Sequence, residues 1–149
     1  MAQSLGKVLV HVVFSTKNRR RIIGPESRGA LHGYLAAVVR DIGCDSLRIG
    51  GTDDHVHALV SLARTRSVAD LVQAMKGQSS KWMKEERGVP MFSWQAGYGA
   101  FSIGASQVEA LTRYIERQEE HHRRGSFQDE LRAFLHRYGV QYDERFIWR

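Results

Sequence analysis

Asp45–Leu62, DSLRIGGTDDHVHALVSL, reads as two short strands, DSLRIGG and HVHALVSL, joined through TDD in a tight turn. Side chains two apart in a strand share a face. Val56, Ala58, Val60 and Leu62 therefore point one way and form a candidate core face. His55 and His57 point the other way, with Cα atoms roughly 6–7 Å apart. Histidine is scarce here, seven in 149 residues. Two neutral imidazoles presented by one rigid strand suit a transition metal or a metal-assisted phosphate site. Taken alone, the pattern is also that of a half-exposed strand carrying two histidines, so its context decides.

Working outward, KVLVHVVFSTK at Lys7–Lys17 is rich in β-branched residues and reads as a buried strand. NRRR at Asn18–Arg21 is an exposed basic turn. Pro25 suits a helix start, and Leu31, Tyr34, Leu35, Val38 and Ile42 follow at helical spacing up to a stop at Gly43. After the hairpin, Ser67 caps a second helix with Asp70 three residues on. Its apolar stripe is Val68, Leu71, Val72, Met75, Trp82 and Met83, and Gly88 and Pro90 end it. MFSWQAGYGAFSIG, Met91–Gly104, is an aromatic, glycine-rich loop leading into a fourth strand. Ser106 opens a third helix, SQVEALTRYIERQEEHHRR, and Ser126 a fourth that stops at Gly139.

The order predicts an α+β fold: a ferredoxin-like β-α-β-β-α-β antiparallel sheet with helices on one face, plus C-terminal helices. The other face of such a sheet is expected to be open, and the two histidines to lie on it. At 149 residues and 42% hydrophobic, residues 1–149 form one domain with no repeats or linkers. No run of 18 apolar residues is present, so no membrane span is expected. The N-terminal stretch alternates into a basic run and reads as a strand, not a signal peptide. A single cysteine, Cys44, excludes an intrachain disulfide framework and a cysteine zinc cluster. A cytoplasmic location is the expectation. The net charge of +6 and the pI of about 9.8 favour a polyanion partner, nucleic acid first.

In the third helix Val108, Leu111 and Ile115 form the apolar stripe. Tyr114 and Gln118, at i and i+4, are neighbours beside it, about 5–6 Å apart, and His121 extends their row. Read separately, Tyr114 is a tyrosine at the border of the core, and Gln118 with EEHHRR is a solvated polar face.

Taken together, the His-hydrophobic-His strand and the later Tyr-x-x-x-Gln helix closely resemble the single-tyrosine HUH transposases of the insertion-sequence 200/605 family. The resemblance extends through HVVFSTKNRRR at His11–Arg21, DHVHALVSL at Asp54–Leu62, LVQAMKGQSSKW at Leu71–Trp82, WQAGYGAFSIG at Trp94–Gly104 and YIERQEEHHR at Tyr114–Arg123. One departure is visible. A proline often precedes Asp-His-Val-His in such proteins, whereas Asp53 stands here and adds a negative charge.

The resemblance implies a transposase, a DNA endonuclease and strand transferase that cuts and rejoins single-stranded DNA at hairpin-forming element ends. It makes Tyr114 the nucleophile, forming a 5′-phosphotyrosine and freeing a 3′-OH. His55, His57 and Gln118 are then the ligands of one divalent ion, Mg²⁺ or Mn²⁺. A free tyrosine, with a pKa of about 10, is a weak nucleophile near neutrality, and a divalent ion polarises and orients the phosphate. Two imidazoles and an amide are a modest set for Mg²⁺, so weak metal binding is expected until DNA is present.

Phosphate contacts are expected from Lys17, Arg19, Arg20 and Arg21 after the first strand and from Lys76, Lys81 and Lys84 on the second helix. Arg113, Arg117, Arg123 and Arg124 flank the tyrosine; such contacts give salt-dependent affinity without sequence choice. Phe92, Trp94, Tyr98 and Phe101 either stack on bases or pack the loop, and Trp82 belongs to the core. Family members are homodimers, and the resemblance favours a tyrosine helix that reaches across the dimer through GASQ, Gly104–Gln107. A lone domain folding the helix back onto its own sheet is the alternative.

Two other readings compete. One is a non-catalytic or host-adopted single-stranded nucleic-acid-binding protein of the same fold. The other is a different metal enzyme. A cupin wants a glutamate soon after the second histidine, and the next here is Glu85; an amidohydrolase barrel needs far more chain.

Overall fold

In a computed structural model of the chain, which describes residues 2–149, the expected hairpin is present as β2 (Asp45–Gly51) and β3 (His55–Leu62). β1 (Val8–Ser15) pairs with β3 on one side and with β4 (Gly99–Ile103) on the other. All pairings are antiparallel and the sheet order is β2-β3-β1-β4.

Two helices cover one face. In α1 (Pro25–Asp41), proline occupies the first turn, where its missing N–H costs nothing. α2 (Val68–Glu86) starts in a reciprocal cap: Ser67 Oγ accepts from Asp70 N at 3.0 Å, and Asp70 Oδ2 accepts from Ser67 N at 3.1 Å. Leu31, Leu35 and Val39 of α1 and Leu71, Met75 and Met83 of α2 meet Val10, Val12, Phe14, Val56, Ala58 and Val60 of the sheet. Phe92 and Trp94 complete this core, with Trp94 Nε1 donating to Ser79 Oγ at 2.9 Å. Trp82, expected in the core, lies at its edge, half-buried and stacked on Tyr34 with ring centroids 4.7 Å apart.

The second face is not open. It is covered by α3 (Val108–Glu116), α4 (Gln118–His121) and α5 (Phe127–Arg137). Leu111 and Ile115 pack on Leu59, and Phe127, Leu131 and Leu135 pack on Val13 and Phe101. The tail carries two apolar stripes at helical spacing. Burying each Leu, Ile or Phe of them is worth roughly 1.5–3 kcal/mol, so the tail closes over the one apolar surface left free.

The expected third helix is also not continuous. It breaks at Arg117 (φ −101°, ψ 19°), whose N–H bonds to both Arg113 and Tyr114 carbonyls in a tightened last turn. Tyr114 therefore lies in the last turn of one helix and Gln118 begins the next. The GASQ segment forms a 3-10 turn, with Gln107 Oε1 accepting from Gly104 N at 3.1 Å. Beyond it α3 folds back against β2 and β3 of its own sheet. Gly50 permits this approach, since a Cβ there would stand 2.6 Å from the Ile115 carbonyl oxygen. No helix among the described residues is long and apolar enough to cross a membrane.

Candidate active site

β3 carries His55 and His57 onto the face beneath α3–α5, and both are fully buried. Their Nδ1 atoms are engaged from behind. His55 Nδ1 lies 2.7 Å from Asp54 Oδ1 and 3.0 Å from Thr52 Oγ1. His57 Nδ1 lies 2.8 Å from His11 Nε2. Donation from His55 Nδ1 to the Asp54 carboxylate fixes that tautomer and leaves Nε2 of a neutral ring bare, while the His11 contact fixes the orientation of the His57 ring. Burial holds His11 neutral, with a pKa lowered to about 3, and burial likewise lowers His57, with Glu130 opposing. For Asp54, burial works to raise the pKa, but the hydrogen bond and charge of His55 prevail and it is lowered. The two Nε2 atoms face the same enclosed space.

Tyr114 and Gln118 reach that space from α3 and α4. Gln118 is 1% exposed, and its Oε1 lies 2.9 Å from His55 Nε2. Its Nε2 donates to Glu130 Oε2 at 3.1 Å, which settles the orientation of the amide. The Tyr114 hydroxyl donates to the same Glu130 oxygen in a short hydrogen bond, and its ring centroid is 5.8 Å from that of His57. Burial, and then the charge of Glu130, raise the Tyr114 pKa well above that of a free tyrosine. In this arrangement the hydroxyl is held as a proton donor. The structure thus brings Tyr114, Gln118, His55 and His57 together within one chain.

The acidic partner on α5 was not legible as a site residue. Glu130 Oε1 lies 2.8 Å from His57 Nε2, 3.1 Å from His122 Nε2 and 3.5 Å from His55 Nε2. His55, His57, His122 and Glu130 offer ligand atoms all within 4.8 Å of one another. Burial works to raise the Glu130 pKa, but the histidines, His57 first, hold it far below the usual carboxylate range. For His122 burial works downward and the Glu130 contact prevails, raising it. Imidazole nitrogens and a carboxylate are a donor set that fits a divalent ion. In sequence, His122 sits in the run EEHHRR and Glu130 in SFQDEL, both indistinguishable from solvated helix faces. His11 did leave a trace, as a lone histidine within an apolar strand.

Two cavities flank the cluster and share His122, Gly125 and Ser126. One, of about 610 Å³, is lined by Arg19, Arg21, Arg28 and Arg123 with Asp53 and Asp54. The other, of about 570 Å³, is lined by Tyr114, Glu130, His121 and Phe134. Asn18 and Arg19 adopt left-handed backbone angles (φ 58° and 53°) in the basic turn, so the chain turns sharply there. Lys17, Arg20, Arg21, Lys81, Lys84, Arg113, Arg117, Arg123 and Arg124 are exposed. Lys81 and Lys84 ride on α2, across the sheet from the histidines. The Lys76 ammonium is engaged elsewhere, donating to the carbonyls of Gln95, Ala96 and Gly97 at 2.8, 3.2 and 2.6 Å. Of the four loop aromatics, Phe92, Trp94 and Phe101 are buried in the cores, while Tyr98 is exposed.

Comparison with known proteins adds the following. A family model described as transposase IS200 like matches residues 4–118. ISDra2 transposase TnpA of Deinococcus radiodurans is 23% identical over 116 residues, spanning 74% of this chain and 83% of its own. A crystal structure of a candidate transposase from the same organism superposes with a TM-score of 0.62 at 21% identity, covering 79% of this chain and 98% of that one. A tyrosine transposase associated with REP sequences, solved bound to a REP hairpin, gives 0.61 at 16% identity over 82% of this chain and 73% of that one.

Proposed function

The chain belongs to the IS200-like transposase family, and from that premise we propose that it cleaves and rejoins single-stranded DNA at the ends of an insertion sequence. The reaction is metal-assisted transesterification through a 5′-phosphotyrosine. The observation that carries the reading is the convergence, in one buried cluster, of a tyrosine hydroxyl, a glutamine amide and two histidine Nε2 atoms.

Tyr114 is the nucleophile. Its oxygen bonds to the scissile phosphorus, the P–O3′ bond breaks, and the departing 3′-oxygen gains a proton as the tyrosine loses one. The phosphodiester is conserved in the tyrosyl link, so attack by a 3′-OH reverses the step and rejoins strands without a nucleotide cofactor. His55, His57 and Gln118 would hold one divalent ion, Mg²⁺ or Mn²⁺. Such an ion polarises the phosphoryl oxygens and offsets the charge that opposes tyrosine ionisation. Asp54, Thr52 and His11 orient the two imidazoles. Gln118, buried and clamped to Glu130, positions the amide.

Single-stranded DNA, with a hairpin at the element end, is the substrate. Lys17, Arg19, Arg20, Arg21 and Arg117 are its phosphate contacts on the side of the site, and Lys81, on α2 across the sheet, is a contact for DNA that continues round to that face. Lys76, expected among them from the sequence, is left out of that set, because three carbonyls already hold its ammonium. The basic cavity beside His122 supports entry of the strand from the Arg19–Arg21 side. A homodimer is part of the same reading, on the strength of the resemblance. The fold-back of α3 in a single chain supports a site built in cis. Mixing His57→Ala with Tyr114→Phe protein separates the arrangements, since cleavage returns on subunit exchange only if sites are shared.

The test is covalent capture. A labelled single-stranded hairpin with Mn²⁺ or Mg²⁺ should give a denaturation-resistant adduct, lost in Tyr114→Phe and with EDTA. Strand binding with no adduct under any metal would instead identify a non-catalytic nucleic-acid-binding protein.

A further inference from the structure

We propose that His122 and Glu130 complete the metal centre, giving this chain a three-histidine, one-carboxylate site that takes up a divalent ion such as Mn²⁺ before any DNA arrives. The inference rests on the reading of His55 and His57 as a metal pair and extends it to residues beyond the family match, which ends at 118.

The first argument is spatial. Glu130 Oε1 lies 2.8, 3.1 and 3.5 Å from the Nε2 atoms of His57, His122 and His55. Ligands about 2.1 Å from a common ion stand about 3 Å apart along the edge of an octahedron. One carboxylate oxygen thus faces three imidazole nitrogens, at separations close to those of neighbouring ligands around one ion.

The second argument concerns lone pairs. With Nδ1 of His55 donating to Asp54, a neutral His55 turns a bare Nε2 toward Gln118 Oε1 at 2.9 Å. The Gln118 amide nitrogen is fixed on Glu130, so the oxygen cannot flip away. Two acceptors at that distance repel unless a proton or a metal ion lies between or beside them. His57 is held from behind by His11 at Nδ1, and its Nε2 faces a carboxylate oxygen. Five potential ligand atoms, from His55, His57, His122, Gln118 and Glu130, therefore converge on one space. The side chains of His55 and His57 are 0% exposed, Glu130 8% and His122 13%. Water has little access to relieve the crowding.

The third argument is the second carboxylate oxygen. Glu130 Oε2 accepts from the Tyr114 hydroxyl and from the Gln118 amide. With Oε1 among the ligands, Glu130 ties the nucleophile to the centre and acts on Tyr114 as a positioning residue. Three imidazoles with one carboxylate favour Mn²⁺ over Mg²⁺, which prefers oxygen ligands and retained waters. Mn²⁺ is accordingly the probe.

The experiment measures Mn²⁺ binding to the full chain, metal-stripped and free of DNA, by calorimetry and by the loss of the free-ion electron paramagnetic signal. One Mn²⁺ per chain is expected. Glu130→Gln, which keeps side-chain size, and His122→Ala, at the exposed edge, should each weaken binding by about 10-fold or more. Glu120→Gln on exposed α4 should leave it unchanged. Thermal melting of each variant checks that α5 remains docked. The inference is overturned if no Mn²⁺ binds without DNA, or if both variants bind it like the unaltered chain. The parent reading is tested separately by the tyrosyl–DNA adduct. Mn²⁺ uptake that depends on His122 and Glu130 without any adduct supports this inference and sinks transposition. An adduct together with undiminished Mn²⁺ binding in both variants overturns this inference alone.

Discussion

Gly50→Ala tests how the tyrosine is placed. Gly50 lies on β2 under the last turn of α3. A Cβ there would sit 2.6 Å from the Ile115 carbonyl oxygen and 2.7 Å from Ile115 Cγ2, whereas ordinary contact begins at 3.4 Å. The helix end must retreat by about 0.8 Å, the difference between 3.4 and 2.6 Å. Ile115 directly follows Tyr114, so the retreat passes to the nucleophile and, across the Arg117 break, to Gln118. Overpacking of this kind costs roughly 1–3 kcal/mol of stability. A displacement near 1 Å at a reacting group lowers the rate on the order of 100-fold. The matched control is Gly33→Ala within α1, where an added Cβ meets nothing within 4 Å. It should stabilise by roughly 0.5–1 kcal/mol with no loss of rate. The assay pairs urea unfolding with single-turnover adduct formation at a temperature where every variant is folded. A Gly50→Ala protein with unaltered stability and rate would refute the close approach of α3 to β2. An equal loss in Gly33→Ala would show that the effect does not arise at the site.

Trp94→Phe removes the Nε1 donor to Ser79 Oγ and should cost about 1–3 kcal/mol in urea unfolding, leaving adduct formation intact in the folded protein. Lys76→Met strips three loop carbonyls of their donor. It should lower the melting temperature while barely changing the salt dependence of DNA binding, whereas Arg21→Ala should reduce the salt slope by about 0.7 with no change in melting. For metal-stripped protein, burial sets the pH response. His11 titrates near 6.5 unfolded but is lowered to about 3 when folded. The unfolded chain therefore binds the extra proton, and stability is lost as pH falls below 6.5. At pH 4.5, two units down at about 1.4 kcal/mol each, the loss from His11 is about 3 kcal/mol. Lowered His57 acts in the same sense, and raised His122 in the opposite one. Urea midpoints that stay flat from pH 7 to 4.5 would contradict this.

The hairpin, the β-α-β-β-α-β order and the face carrying the histidines were legible because each rests on a local signal: alternation in HVHALVSL, the Ser67–Asp70 cap, Pro25 at a helix start. The nearness of Tyr114 and Gln118 to each other followed from spacing, and their place beside the histidines from the resemblance, although the break at Arg117 was not legible, since nothing in YIERQEEHH disfavours a continuous helix. The covered second face was missed for a different reason. The stripes of α3 and α5 announce amphipathic helices, but not which surface buries them. Glu130 was invisible for the same cause. It meets His57 across 73 residues of chain, and its neighbours Asp129 and Arg132 read as an ordinary solvated face. Lys76 shows the converse limit: a lysine on a helix reads as a phosphate contact until the loop that it holds is in view.

The central claim, that Tyr114 takes the DNA covalently, is tested most directly by locating the bond. The trapped adduct is digested with nuclease and trypsin, and the modified peptide is sequenced by mass spectrometry. Tyr114 follows Arg113 and precedes the next cleavage site at Arg117, so the account predicts a nucleotide 5′-phosphate on the peptide Tyr-Ile-Glu-Arg, Tyr114–Arg117. A nucleotide on a peptide bearing Tyr98 or Tyr138, or strand cleavage that leaves no modified tyrosine, would contradict it.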